Sequence, residues 1–249
     1  MDNFSLNNGG IGHIFDQSLF DNIVDDLVEH GISVRENGVP GFVVKALCQG
    51  VEVLPARQFK KAGIGRAQDY QTKHAIRGDS ICWIEGTSEE GATWLAWCEA
   101  LRVHINRTLF MGLFSFESHY ATYPPGTFYK RHLDAFKGQS NRKLSIIVYL
   151  NNDWCSDDGG ELVIYSPNQR LPLSRVAPKR GTIVTFLSDV FPHEVLTAKK
   201  TRHSVAGWFS VNTSINDNID PPEWGFIGIF VSTNANIGKL GRKYNRKHN

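Results

Sequence analysis

The sequence predicts an α+β protein, helical in its first half and built in its second half from antiparallel strands that close as a sandwich or barrel. Up to about residue 110 the apolar residues recur at three- and four-residue intervals, the one-sided stripe of amphipathic helices. Beyond about residue 115 they fall into short alternating or β-branched runs parted by Gly, Asn, Asp and Pro, the pattern of strands and turns. Helices followed by strands, rather than interleaved with them, fit a segregated α+β architecture. At 249 residues and 41% hydrophobic, the chain can bury one sizeable core, as one large domain or one with extensions.

The first helix follows from Phe15, Leu19, Phe20, Ile23, Val24, Leu27 and Val28, with Gly31 ending it. A second fits residues 42–54, weakened by Gly50. A third starts at Thr87, which with Glu90 has the spacing of a capping box, and continues through Trp94, Leu95, Cys98, Leu101, Val103 and Ile105. Strands follow at "SHYATY", "KLSIIVYL", "GELVIYS", "GTIVTFLS", "HEVLTA" and "RHSVAGWFSV", and no internal repeat is visible. Residues 57–79 are basic and glycine-punctuated, which predicts a long surface loop, a kind uncommon unless functional or disordered. The C-terminal "IGKLGRKYNRKHN" predicts a fraying basic tail, and "VNTSINDNIDPPEWGFIGIF" a further strand pair or an interface.

Charge and cysteine content narrow the class. Basic and acidic residues nearly balance, 27 against 25, so the overall field argues neither for nor against a nucleic-acid partner. Cys48, Cys82, Cys98 and Cys155 lie far apart, which favours reduced thiols in a cytoplasmic setting over a disulfide framework or zinc ribbon. The opening residues lack the basic-then-apolar order of a signal peptide and no apolar run reaches membrane-span length, so neither secretion nor membrane insertion is expected.

The chemistry concentrates in "YPPGTFYKRHLDAF". Residues two apart on a strand leave the same face, so His132 and Asp134 can converge on one ion. His193, at the start of another predicted strand, completes two imidazoles and a carboxylate, the facial triad that suits non-haem Fe(II) and leaves coordination positions open. A zinc hydrolase would accept the same ligands. Those open positions suit a bidentate 2-oxo acid plus dioxygen, and Arg202, at the next strand's start, offers a planar fork to a far carboxylate. The zinc alternative leaves Arg202 and the nearby tyrosines without a task.

These residues carry a family resemblance. "YPPGTFYKRHLD", "IIVYLNNDW", "GGELVIY", "VFPHEVLTAKKTRHSVAGWF" and "AIRGDSICWIEG" resemble the prolyl 4-hydroxylase branch of the 2-oxoglutarate/Fe(II) oxygenases. Within it they look most like the hypoxia-inducible-factor prolyl hydroxylases and their bacterial relatives. The resemblance implies a double-stranded β-helix (jelly-roll, cupin-like) core with N-terminal helices packed on one sheet. It divides the chain into an extension at 1–14, an oxygenase domain at 15–212 (helices to about 110, β-helix core from about 115) and an extension at 213–249. It implies His132, Asp134 and His193 as iron ligands, with Arg202 and Tyr149 on the distal carboxylate of 2-oxoglutarate and Tyr123 and Tyr129 in the pocket. O2 would be the second cosubstrate and ascorbate a reductant.

For the substrate, the resemblance points to the 57–79 loop closing over a proline-containing protein, with Arg77, Asp79, Trp83, Arg142 and Trp208 lining or bracing the entrance. Without it, Arg77 and Asp79 read as a local ion pair with Arg142, and the two tryptophans as core. "GIGR", at 63–66, is similar to the bacterial members and names elongation factor Tu as the candidate substrate. Nucleic-acid demethylases carry a second arginine six residues after the first, where this chain has Trp208, and halogenases lack the carboxylate that Asp134 supplies. A hydroxylase of free amino acids and a non-catalytic 2-oxoglutarate or metal sensor are the alternatives left open.

Overall fold

The computed structural model describes residues 17–62, 76–135, 141–168 and 171–212. "GIGR", most of the 57–79 loop and both terminal extensions, 1–14 and 213–249, lie outside the described residues. The first helix, α1 (Gln17–His30), buries Phe20, Ile23, Val24 and Leu27 on one stripe. Gly31 ends it as expected, its N–H donating to the Leu27 carbonyl at 3.0 Å. A short strand, β1 (Ile32–Arg35), follows and was not predicted.

The second helix, α2 (Gly41–Val53), lies one residue earlier than expected. Its interior Gly50 has a packing reason: a Cβ there would collide with the Tyr120 hydroxyl. The third helix, α3 (Glu89–Leu109), is capped by Ser88 rather than Thr87, with the Ser88 Oγ accepting from the Gly91 N–H at 3.1 Å. Trp94, Cys98, Leu101 and Ile105 are buried as the periodicity requires, and Trp97 joins them. No described helix is long and apolar enough to cross a membrane.

Two antiparallel sheets form the rest. The larger contains, in order, β1, β9 (Ile183–Leu187), β6 (Arg142–Tyr149), β11 (Arg202–Val211), β4 (Leu113–Tyr123), β3 (Ser80–Trp83) and β2 (Lys60–Lys61). The smaller contains β5 (Tyr129–His132), β10 (His193–Val195), β7 (Leu162–Tyr165) and β8 (Pro172–Val176). The predicted loop at 57–79 therefore begins with an Ala56–Gln58 turn and a strand paired to β3, not with unstructured chain. The core has two layers. Helices pack on one face of the large sheet through Trp94, Trp97, Leu101, Val205 and Phe209. The sheets pack on each other through Tyr149, Leu162, Ile164, Val184 and Phe186. Helices on the outer face of a two-sheet β core are the double-stranded β-helix arrangement the resemblance implied.

Candidate active site

A cleft of about 1260 Å³ runs past the edge of the large sheet and reaches between the sheets, where its lining includes His132, Asp134, His193 and Arg202. Pairing of β5 with β10 sets His132 directly opposite His193, and the two rings stand 4.3 Å apart, centre to centre. Asp134 is not on the strand with His132, as the spacing predicted, because β5 ends at His132 and the chain bends through Asp134. That bend turns the carboxylate between the imidazoles, with Oδ1 3.6 Å from His132 Nε2 and Oδ2 3.6 Å from His193 Nε2. The three ligating atoms lie within 4.8 Å of one another, a span one ion can gather.

Backbone acceptors aim both rings. His132 Nδ1 donates to the Lys130 carbonyl at 2.8 Å and His193 Nδ1 to the Phe191 carbonyl at 3.0 Å, which turns both Nε2 lone pairs toward the aspartate. Burial pushes the His193 imidazole down to about 4, so it is a neutral ligand at neutral pH. Burial alone would raise the Asp134 carboxyl, but His193, His132 and a hydrogen bond from Ser145 Oγ at 2.7 Å together hold it well below its ordinary value. Ser145 in turn meets Ser188 Oγ at 2.9 Å. Sequence reasoning passed over Ser145, though one signal was there: a hydroxyl on the same strand face as Ile147 and Tyr149.

Deeper in the cleft sits Arg202, 1% exposed. Register puts it opposite Tyr123, and β6 brings Tyr149 opposite Ser204, so the guanidinium lies 4.9 and 5.0 Å from the two phenol rings. Its Nε donates to the Gly160 carbonyl at 2.9 Å and one Nη to Ser204 Oγ at 3.1 Å. A Cβ at Gly160 would crowd the Arg202 stem, so the close approach requires glycine. Among the described residues no carboxylate pairs with Arg202, and the buried Tyr149 hydroxyl has no hydrogen-bond partner. Burial pushes that hydroxyl up to about 12, so it is a donor. A buried cation and an orphaned donor side by side fit a carboxylate brought in by a ligand.

The entrance residues also meet. Tyr129 stacks on His132 at 3.6 Å, and Arg77 lies 4.3 Å over the Tyr129 ring while gripping buried Asp79 with two hydrogen bonds of 2.7 and 2.6 Å. Arg142 does not share that pair. It binds Glu117 at 2.6 Å and covers the Trp208 ring at 3.9 Å. Trp208 is buried, whereas Trp83 is 49% exposed at the rim and is not core.

A family model described as the 2OG-Fe(II) oxygenase superfamily matches residues 118–210. The chain is 32% identical over 200 residues to Egl nine homolog 1 of Homo sapiens, covering 75% of this chain and 45% of that protein. It thus spans about half the length of such curated relatives. A crystal structure of a Pseudomonas putida prolyl-4-hydroxylase superposes with a TM-score of 0.68 at 38% identity, covering 78% of this chain and 98% of that one. A Trichoplax adhaerens prolyl hydroxylase, solved with a hypoxia-inducible-factor oxygen-degradation-domain peptide fragment, superposes with a TM-score of 0.68 at 27% identity, covering 78% and 90%. Likeness at this level through nearly the whole Pseudomonas chain settles descent: the chain belongs to the prolyl hydroxylase branch of the 2OG-Fe(II) oxygenase superfamily.

Proposed function

We propose that this chain is a 2-oxoglutarate- and Fe(II)-dependent dioxygenase that hydroxylates a prolyl residue, at C4, in a protein substrate, with release of succinate and carbon dioxide. The observation that carries the reading is the buried Arg202 beside the unpartnered Tyr149 hydroxyl in the same cleft as the triad. A sole metal site would need no such carboxylate seat, whereas 2-oxoglutarate needs both. His132, Asp134 and His193 would hold iron, which when bound supplies the oxidative decarboxylation and oxygen insertion.

Arg202 and Tyr149 take the distal carboxylate, and Tyr123 and Tyr129 wall the cosubstrate against water. Ser145 holds Asp134 at its angle through one oxygen. Arg77 with Asp79, Trp83, and Arg142 with Trp208 form the entrance that receives the substrate. The protein partner we propose is elongation factor Tu, in the cytoplasm, with ascorbate as the reductant that maintains iron.

The test incubates iron-loaded protein with 2-oxoglutarate, oxygen and purified elongation factor Tu, and reads proline peptides by mass spectrometry. The expected outcome is a gain of about 16 Da, one oxygen atom, that is absent with Asp134→Ala. Succinate without the gain would reject this partner and keep the oxygenase. No succinate would move the reading to a 2-oxoglutarate or metal sensor.

A further inference from the structure

One side chain on the cleft wall has no part in the site described above. His119 lies on β4, two and four residues before Ala121 and Tyr123, so all three share the face turned to the cleft. Register sets it between Trp83 of β3 and Ala206 of β11. Its ring meets Trp83 edge-on at 5.2 Å and Trp208 at 5.4 Å, so two indoles hold its plane.

The tautomer follows from one contact. Nδ1 lies 3.2 Å from the Tyr120 carbonyl, which can only accept, so Nδ1 carries the hydrogen and Nε2 presents a lone pair. No described residue bonds Nε2, and unlike the Trp208 Nε1 it is not sealed from solvent. Burial, joined by Arg77 and Arg142 against the opposing Asp79, lowers the imidazole pKa to about 4, so the ring is neutral at neutral pH. The acidic groups near it are committed, Asp79 to Arg77 and Glu117 to Arg142.

A neutral acceptor between two indoles suits a neutral donor. Its lone pair turns away the carbonyl oxygens of a peptide backbone and matches the N–H groups that an extended chain presents. We propose that His119 is a specificity-determining residue, its Nε2 accepting a hydrogen bond from a backbone N–H of the peptide that carries the target proline. The proposal rests on the prolyl hydroxylase reading and names what that site recognises beside the proline.

The experiment presents the iron-loaded enzyme with short synthetic peptides that have one central proline and randomised flanks, scores hydroxylation by mass spectrometry, and then N-methylates each backbone amide of the best peptide in turn. One N-methyl position is expected to cost the wild type about tenfold in kcat/KM, the worth of one hydrogen bond. The same position costs His119→Leu nothing further, because that variant has already lost about tenfold, while His119→Gln, which keeps an acceptor, recovers most of it. An equal N-methyl penalty in wild type and His119→Leu at every position overturns the role of His119 and leaves the hydroxylase standing. A wild type that forms succinate but hydroxylates no peptide overturns the role too, and a wild type that forms none overturns the hydroxylase reading itself.

Discussion

Asp134 shows how much a single residue depends on its supports. It bridges two imidazoles that are each aimed by a backbone carbonyl, and one of its oxygens is held by Ser145. Asp134→Ala is therefore expected to abolish iron loading and succinate formation together, read by metal analysis and turnover on the same sample. Ser145→Ala keeps every ligand and frees the carboxylate to rotate. It should weaken Fe(II) binding by about tenfold or more, read by titration, and leave the fold unchanged in circular dichroism. At Arg202 the fork matters more than the charge, because Nε and Nη are already placed by Gly160 and Ser204. Arg202→Lys should raise the KM for 2-oxoglutarate by about tenfold or more, and an unaltered KM would remove Arg202 from the carboxylate. The triad and Arg202 were legible in the sequence because each needs a particular residue type at a strand end. Ser145 and His119 were not, since a serine or histidine within a strand acquires its task only from what faces it.

Among the elements, α2 carries the sharpest conflict between local propensity and packing. Gly50 weakens a helix by about 1 kcal/mol relative to alanine, so propensity alone makes Gly50→Ala stabilising. Packing reverses the sign, because the new methyl would collide with the tip of buried Tyr120 on β4. Gly50→Ala should cost about 1–3 kcal/mol in urea unfolding, and adding Tyr120→Phe should return part of the loss. Two of the unpredicted strands, β1 and β8, share an edge position. β1 follows Gly31 directly and lies at a sheet edge, and β8 opens on Pro172 at the other sheet's edge with mostly exposed residues. Proline at the first position of an edge strand is permitted because no ladder donor is needed there, but it hides the strand from pattern reading.

Over the molecule as a whole, burial of neutral histidines makes stability depend on pH. His119 is lowered to about 4 by burial with Arg77 and Arg142 beside it, and His203 is lowered by burial and by Arg202. Below pH about 6.5 the unfolded chain takes up protons that the folded state refuses, so stability is complete above that value and falls as pH drops toward 4. His119 alone accounts for on the order of 3 kcal/mol across that window. Urea unfolding of the metal-free protein should show a lower midpoint at about pH 5 than at about pH 7, with the difference reduced in His119→Gln. Equal midpoints would mean that these rings are solvated in the native state.

The α+β order, the three helices and the principal strands were determined by the sequence alone, and so was the choice of His132, Asp134, His193 and Arg202 as the candidate set. Hydrophobic period is a local property, and a metal-ligand set is a matter of residue type and order. Which hydroxyl braces Asp134, why Gly50 stands inside a helix, and why Arg142 binds Glu117 and not Asp79 were decided only by the tertiary structure. Each of these depends on strand register, which pairs residues far apart in the chain. His193 meets His132 and Arg202 meets Tyr123 only once the strands have aligned, and that alignment comes from burying both faces of the large sheet at once.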